Sequence, residues 1–217
     1  MKIHYISEEN SLLNHFLGQL RDVETQKDSM RFRKNIERIG EITAYELSKT
    51  LPYKNIAIQT PLGIKHTTCI EDNVVLCSIL RAGLALHTGF MNFFDDAENG
   101  FVSAYRKHAQ GGESSEILVE YQAAPSFQDK ILILIDPMLA TGQSLVAVYN
   151  KLLTEQTPKE IHIAVVIAAP EGIAYLEKSL PDHCHLWVAT LDDHLDQDNY
   201  IVPGLGDAGD LAYGQKL

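Results

Sequence analysis

The sequence predicts an α/β domain built on a mainly parallel sheet with helices on its faces. Three observations lead there. Apolar runs of strand length, such as 131–135 (ILILI) and 161–168 (IHIAVVIA), lack the alternation of a half-exposed strand and suit strands buried on both faces. Stretches of helical character lie between such runs, notably 83–94, 144–153 and 171–179. With 217 residues, 45% of them hydrophobic, the chain is long enough to bury one substantial core, and residues 1–217 are read as a single domain.

Taken in order, helices are expected at 11–20 and 30–50, followed by strands at 55–59, 74–79, 102–105, 117–121, 131–135, 161–168 and 186–191. The segment 102–121 differs from the rest. Two strand-like runs flank the polar, glycine-containing stretch KHAQGGESS at 107–115, which predicts a β-hairpin flap with a mobile tip.

Charge and composition narrow the function. A net charge of −11 argues against a general nucleic-acid binder, because nonspecific affinity for nucleic acid comes from phosphate neutralisation by Lys and Arg. Any cations that meet a polyanionic ligand must be local. The three cysteines, Cys69, Cys77 and Cys184, have no ligand-like spacing and read as reduced structural thiols. No apolar run approaches the ~20 residues that span a bilayer, and the start MKIHYISEENSLL lacks a signal-peptide core, so a cytoplasmic protein without membrane contact is expected.

The chemistry concentrates at 131–144, ILILIDPMLATGQS. A buried strand ends in one carboxylate, Asp136, and a short hydroxyl-bearing turn then opens a helix. Ligands of open α/β sheets bind at the carboxyl ends of strands, and Ala140, Thr141, Gly142, Gln143 and Ser144 can aim backbone N–H groups, two hydroxyls and a helix N-terminus at a phosphate. Beside such a nest, Asp136 is suited to accept hydrogen bonds from ribose hydroxyls. The pair fits a ribose 5-phosphate. An ATP-binding P-loop is excluded, since it closes on a Gly-Lys-Ser/Thr that this turn lacks. A plain strand–turn–helix corner remains the alternative for the string by itself.

A second strand, 74–79, delivers Arg81 just before Gly83 and towards the same crevice. A guanidinium fork matches the adjacent oxygens of a diphosphate, although an arginine here also suits carbonyl capping or surface pairing.

The string DPMLATGQS closely resembles the phosphoribosyl-diphosphate (PRPP) signature of uracil phosphoribosyltransferases. The resemblance continues in order through Leu17-Gly18 to Arg21, Met30-Arg31-Phe32-Arg33, Ile79-Leu80-Arg81-Ala82-Gly83, Tyr105-Arg106, Ala168-Ala169-Pro170-Glu171-Gly172 and the block from Tyr200 to Asp210. It implies a type I phosphoribosyltransferase-like fold with a C-terminal uracil-binding hood. It further implies transfer of the phosphoribosyl group of PRPP to N1 of uracil, giving UMP and diphosphate in pyrimidine salvage. By the same match, Arg81 and Arg106 contact the diphosphate, Asp136 orients the ribose, and Pro137, Met138 and Leu139 join 140–144 in the PRPP site. Ile201, Gly206, Asp207 and Ala208 form the uracil site, with Asp207 also turned towards PRPP; Arg81, Arg106, Asp136 and Asp207 are the expected catalytic set. Mg²⁺ is expected to arrive bound to PRPP, with no protein metal ligand. Family members form homodimers or larger homo-oligomers and some respond to GTP.

Three positions depart from the family pattern. The flap reads Arg106-Lys107-His108-Ala109-Gln110-Gly111-Gly112-Glu113 where acidic residues are usual, Gln143 replaces a glycine in the cradle, and Ser78 replaces a proline. The altered flap keeps open a second reading, a PRPP- or nucleotide-sensing pyrimidine regulator with little turnover. Gln143 would weaken the cradle if its position requires positive φ and would be neutral otherwise.

Two apparent motifs are set aside. Gly204-Leu205-Gly206-Asp207-Ala208-Gly209 satisfies G-x-G-x-x-G, but only eight residues follow it, too few for a βαβ unit and an acidic residue ~20 positions on. It reads as a tight loop whose backbone groups match the alternating acceptors and donors of uracil. Asp192, Asp193, His194, Asp196 and Asp198 lack diagnostic ligand spacing and are expected to form a solvated loop.

Overall fold

The computed structural model describes residues 1–107, 116–154 and 156–216, with backbone alone at 105–107, 116 and 117. The expected parallel sheet is present. In chain order the strands are β1 (Lys2–Tyr5), β2 (Tyr53–Thr60), β3 (Gly63–Ile70), β4 (Val74–Leu80), β5 (Glu98–Lys107), β6 (Glu116–Ala123), β7 (Ile131–Ile135), β8 (Met138–Leu139), β9 (Glu160–Ala168), β10 (Cys184–Leu191), β11 (His194–Leu195) and β12 (Ile201–Val202). The helices are α1 (Leu12–Arg21), α2 (Ser29–Ser48), α3 (Leu84–Met91), α4 (Gln143–Leu152), α5 (Pro170–Ser179) and α6 (Ala208–Tyr213).

The main sheet runs β1-β10-β9-β7-β4-β5-β6, with β8 added beside β9. All of its pairings are parallel except β5–β6, which forms the expected hairpin. The loop of that hairpin, at 108–115, lies outside the described residues.

Each central strand feeds two cores, which explains its unbroken apolar sequence. Val74 and Leu76 of β4, Ile131, Ile133 and Ile135 of β7, and Ala164 and Val166 of β9 pack with α1, α2 and α3 on one face. Val75, Cys77 and Ile79, Leu132 and Leu134, and Ile161, Ile163 and Val165 pack with α4 and α5 on the other. Burial pushes the Cys77 thiol up to about 12, as suits a reduced packing residue.

Local chemistry sets the helix starts. Ser11 and Asn14 form a reciprocal capping box at α1, and the Asp28 carboxylate accepts from the N–H groups of Met30 and Arg31 at α2. At the other pole, the chain steps from β4 to β5 on one side and pairs β4 with β7 on the other, with α3 and α4 leaving on opposite faces. A crevice opens at such a switch point, outside the carboxyl ends of β4 and β7.

Sequence periodicity missed several elements. β1 is four residues at the sheet edge, β8, β11 and β12 are two residues each, and α6 turns the second half of the expected glycine-rich loop into six residues of helix. β2 was anticipated in part, but its partner β3 was not. The two pair only with each other among the described residues, as an antiparallel arm. No described helix is long and apolar enough to cross a membrane.

Candidate active site

A cleft of about 300 Å³ occupies the switch point. Its walls combine Arg81 and Ala82 after β4, Asp136, Met138, Ala140 and Ser144 after β7, and Ile201, Gly206, Asp207 and Ala208 from the carboxyl-terminal loop. A smaller adjoining hollow of about 70 Å³ reaches Thr141, Gly142 and Leu145 beside Asp136 and Ser144. Three segments far apart in sequence therefore meet in one place.

The cradle is formed by the turn between β8 and α4. Gly142 precedes α4 with φ +77, the left-handed conformation that favours glycine, while Gln143 is the exposed first residue of the helix and is not among the positive-φ residues. The glycine requirement thus falls on Gly142, and Gln143 neither strains the turn nor fills the hollow. Its N–H lies 3.5 Å from the Thr141 Oγ1, and the first turn of a helix leaves N–H groups without intrahelical acceptors.

Packing against α5 fixes the height of this turn. A Cβ on Gly172 would lie 2.2 Å from the Ala140 carbonyl oxygen and 3.0 Å from that of Leu139, so α5 approaches the cradle backbone as only glycine allows. That contact accounts physically for the Ala168–Gly172 block. Pro137 and Leu139 turn inward instead: both are buried, and their carbonyls accept from the N–H groups of Ile167 and Ala169 at 3.0 and 2.9 Å. They hold the cradle to the sheet, while Met138 and Ala140 face the cleft.

Asp136 is half-buried, accepts from the Met138 N–H at 3.4 Å, and has its pKa pushed up to about 7 by burial. A carboxylate so placed gains from any hydroxyl donor that enters the cleft.

Arg81 is tied down at both ends of its fork. Its Nη2 donates to Asp210 Oδ1 at 2.9 Å and its Nη1 to the Gly214 carbonyl at 3.1 Å, while Nε is buried without a partner among the described residues. The peptide before it, Leu80–Arg81, is cis. Arg106 lies on β5, and its side chain is outside the described atoms.

The carboxyl-terminal loop enters the cleft through β12. Ile201 and Ala208 are buried, Gly206 has φ +92, and the Asp207 carboxylate caps α6 by accepting from the Asp210 N–H at 2.9 Å. Tyr200 and Lys216 also line the cleft. Tyr200 sits at the edge of a motif block; nothing local marks Lys216, which arrives by the fold of the last residues.

The solvated-loop expectation for Asp192 is corrected. Its side chain is 2% exposed and forms a two-pronged ion pair with Arg21, which lies 171 residues away in sequence. Periodicity within the loop carries no signal of so distant a partner. Among the described residues, no three His, Cys, Asp or Glu side chains form a group able to hold a metal ion.

The family model for uracil phosphoribosyltransferase matches residues 6–215. The chain belongs to the uracil phosphoribosyltransferase family. A uracil phosphoribosyltransferase of Porphyromonas gingivalis is 50% identical over 217 residues, covering 100% of both chains. One from Thermococcus gammatolerans is 38% identical over 216 residues, covering 98% of this chain and 94% of its own. A solved structure of a protein from Aquifex aeolicus superposes with a TM-score of 0.86 at 29% identity over 98% of each chain. A hypoxanthine phosphoribosyltransferase of Staphylococcus aureus, at TM-score 0.51 and 16% identity over 75% of this chain and 76% of its own, shares the fold alone.

Proposed function

We propose a division of labour among the cleft residues for uracil phosphoribosyltransfer, the activity of the family to which the chain belongs. The reaction moves the 5-phosphoribosyl group of PRPP to N1 of uracil and yields UMP and diphosphate. One observation carries the assignment: the β8–α4 cradle, Arg81 and the loop at 201–209 line one cleft and its adjoining hollow.

The hydroxyls and N–H groups of 140–144 hold the 5-phosphate at the N-terminus of α4. Asp136 accepts the ribose hydroxyls and stabilises the positive charge that develops on the sugar as the C1–oxygen bond lengthens. Arg81, joined by Arg106 of the flap, neutralises the leaving diphosphate. Ile201 and Ala208 wall the flat base, and backbone groups around Gly206 and Asp207 match the O2, N3–H and O4 edge. A base with the opposite polarity at N3 leaves those groups unpaired, at a cost of about 1–3 kcal/mol each. No covalent enzyme intermediate is needed, so rate comes from positioning and fixed electrostatics.

Mg²⁺ belongs to the substrate in this scheme. The two carboxylates of the cleft, Asp136 and Asp207, form no group with a third donor able to hold a metal among the described residues, and a hard cation is well served by phosphate and hydroxyl oxygens.

Homo-oligomerisation is supported by the β2–β3 arm. Ile58, Leu62 and Ile64 on it are 44%, 100% and 68% exposed, and a two-stranded hairpin is marginal without a surface to cover it. A second copy of the chain is the occupant proposed.

The deciding assay follows radiolabelled uracil with PRPP and Mg²⁺, beside cytosine, hypoxanthine and orotate, with Arg106→Ala as control. UMP formed from uracil alone and lost in the control supports the scheme. No turnover with any base, with PRPP still bound, overturns it and favours the sensor.

A further inference from the structure

We infer that Arg21 and Asp192 are positioning residues for the base-binding loop, acting through the backbone of Gly204. The inference rests on the assignment of 201–209 as the base site. Neither side chain lines the cleft. Their effect must therefore travel through the loop they hold.

Arg21 is the last residue of α1, and its Nη1 donates both to Asp192 Oδ2 at 2.9 Å and to the Gly204 carbonyl at 2.8 Å. Its Nη2 donates to Asp192 Oδ1. The same Asp192 Oδ2 accepts the Gly204 N–H at 2.9 Å, so one ion pair satisfies both polar backbone groups of a buried residue. Such groups cannot be left without partners. Asp192 is itself fixed to the sheet, because its N–H, just past the end of β10, donates to the carbonyl of Ala168, the last residue of β9, at 2.8 Å. Gln26 extends the clamp by donating to the Leu20 carbonyl at 2.8 Å and the Leu205 carbonyl at 3.3 Å.

The clamped residue lies two positions before Gly206. Gly204 has φ +62, and a Cβ there would lie 2.1 Å from the Ile201 carbonyl oxygen, so the loop doubles back tightly at this point. On the upstream side the position of Gly206, Asp207 and Ala208 relative to the sheet is thus held by α1 and the end of β10, while downstream α6 is held by Arg81 and Arg33. The PRPP cradle has anchors outside this pair, through Pro137 and Leu139 to the end of β9 and its following residue and through Gly172 of α5. Both halves meet at the end of β9, but the Arg21–Asp192 pair bonds the backbone of the base loop and not that of the cradle, so its loss should show chiefly in the affinity for uracil.

A lysine at 21 keeps the positive charge beside Asp192 but cannot donate to Asp192 and Gly204 in the fixed geometry of a fork. The test is Arg21→Lys, with the charge-neutral double variant Arg21→Gln/Asp192→Asn as a second perturbation that leaves no unpaired charge. Melting temperature and KM are measured for each, with uracil and PRPP varied separately. Misplacement of the base loop is expected to raise KM for uracil by about tenfold or more and to narrow the preference for uracil over cytosine, with KM for PRPP within about twofold of wild type. Unchanged uracil KM in both variants, or equal rises for both substrates that track the loss of melting temperature, would overturn the inference.

A control at the site separates this from failure of the base-site assignment. Gly206→Val introduces a β-branched residue at φ +92 and must raise KM for uracil if the loop holds the base. If it does not, the assignment and the inference fall together; if it does while neither Arg21→Lys nor the double variant changes uracil KM, only the positioning role is lost.

Discussion

Asp210 Oδ1 accepts from Nη2 of Arg81 at 2.9 Å, which ties the end of β4 to helix α6 across the mouth of the cleft. Both partners are about one third exposed, at 35% and 33%, so the pair sits where a diphosphate could compete for it. With Nη1 on the Gly214 carbonyl, the guanidinium is held in orientation before any ligand arrives. In the diphosphate role proposed for Arg81, the ligand would share or displace these contacts and so act on the helix that follows the base loop.

Arg81→Lys tests the fork. A lysine retains charge but supplies a point donor, so it cannot hold Asp210, Gly214 and a pair of diphosphate oxygens at once. Loss of at least tenfold in kcat/KM for PRPP is expected, equivalent to ~1.4 kcal/mol of transition-state stabilisation. Steady-state kinetics with PRPP varied at saturating uracil make the measurement, and a value within twofold of wild type would remove Arg81 from the diphosphate site.

The cradle makes opposite predictions for two adjacent residues. Gln143→Gly should change kcat/KM for PRPP by less than about twofold, because Gln143 is an exposed first residue of α4 with ordinary backbone geometry. Gly142→Ala should lower it by about 10²-fold, since φ is +77 there and a Cβ would meet the Gly172 carbonyl oxygen and the Tyr175 ring at 3.1 Å. A large effect at 143 with none at 142 would mean that the turn is misassigned.

Asp136 predicts an acid limb. Its pKa is raised to about 7 by burial, and the role given to it needs the carboxylate, so kcat/KM for PRPP should fall as pH drops through about 7. The stability consequence has the same origin. A carboxyl whose folded pKa exceeds its unfolded one favours the folded state at low pH, and that contribution is lost as pH rises from the ordinary carboxylate range through about 7. Asp136→Asn should flatten the limb while lowering the plateau; a limb that persists unchanged in this variant belongs to another group.

Much of the fold was legible because it is written in local patterns. β7 was expected at 131–135 and ends there, since five consecutive apolar residues of strand length, followed by Asp-Pro, fit a strand buried on both faces. The cradle was legible for the same reason: strand, short turn and helix are contiguous. What stayed hidden depends on distant residues or on marginal length. α6 is six residues with a glycine in its first turn, too short for periodicity, and is held by Arg33, whose Nη1 donates to the Ala212 carbonyl at 2.6 Å. β3 carries Lys65, His66 and Thr67 on an arm that meets the core only at its end, through Ile70, so no apolar alternation marks it. Asp192 read as solvated because its partner Arg21 is remote, and Asp210 gave no sign that it would reach Arg81.

A histidine cluster on β1, β9 and β10 predicts a pH effect on stability of opposite sign to that of Asp136. His162 is fully buried, its Nδ1 accepts from the Trp187 Nε1 at 3.1 Å, and its pKa is lowered to about 3 by burial, aided by the nearby charges of His185 and His4. His4 stacks on Trp187 at 3.9 Å between ring centroids and is lowered to about 4, while Glu160, Lys2, His183 and the amino terminus add to the charged surroundings. Since the folded state refuses protons that the unfolded chain accepts near pH 6.5, these residues contribute stability above that pH and lose it as pH falls towards their folded values. For His162 alone the loss at pH 5 is on the order of 2 kcal/mol, or roughly 5 °C in melting temperature for a domain of this size. His162→Gln keeps an acceptor for Trp187 and removes the titration. Its melting temperature should fall less steeply between pH 7.5 and 5 than that of the wild type, whatever its value at neutral pH. Parallel slopes in the two proteins would show that the acid sensitivity arises elsewhere.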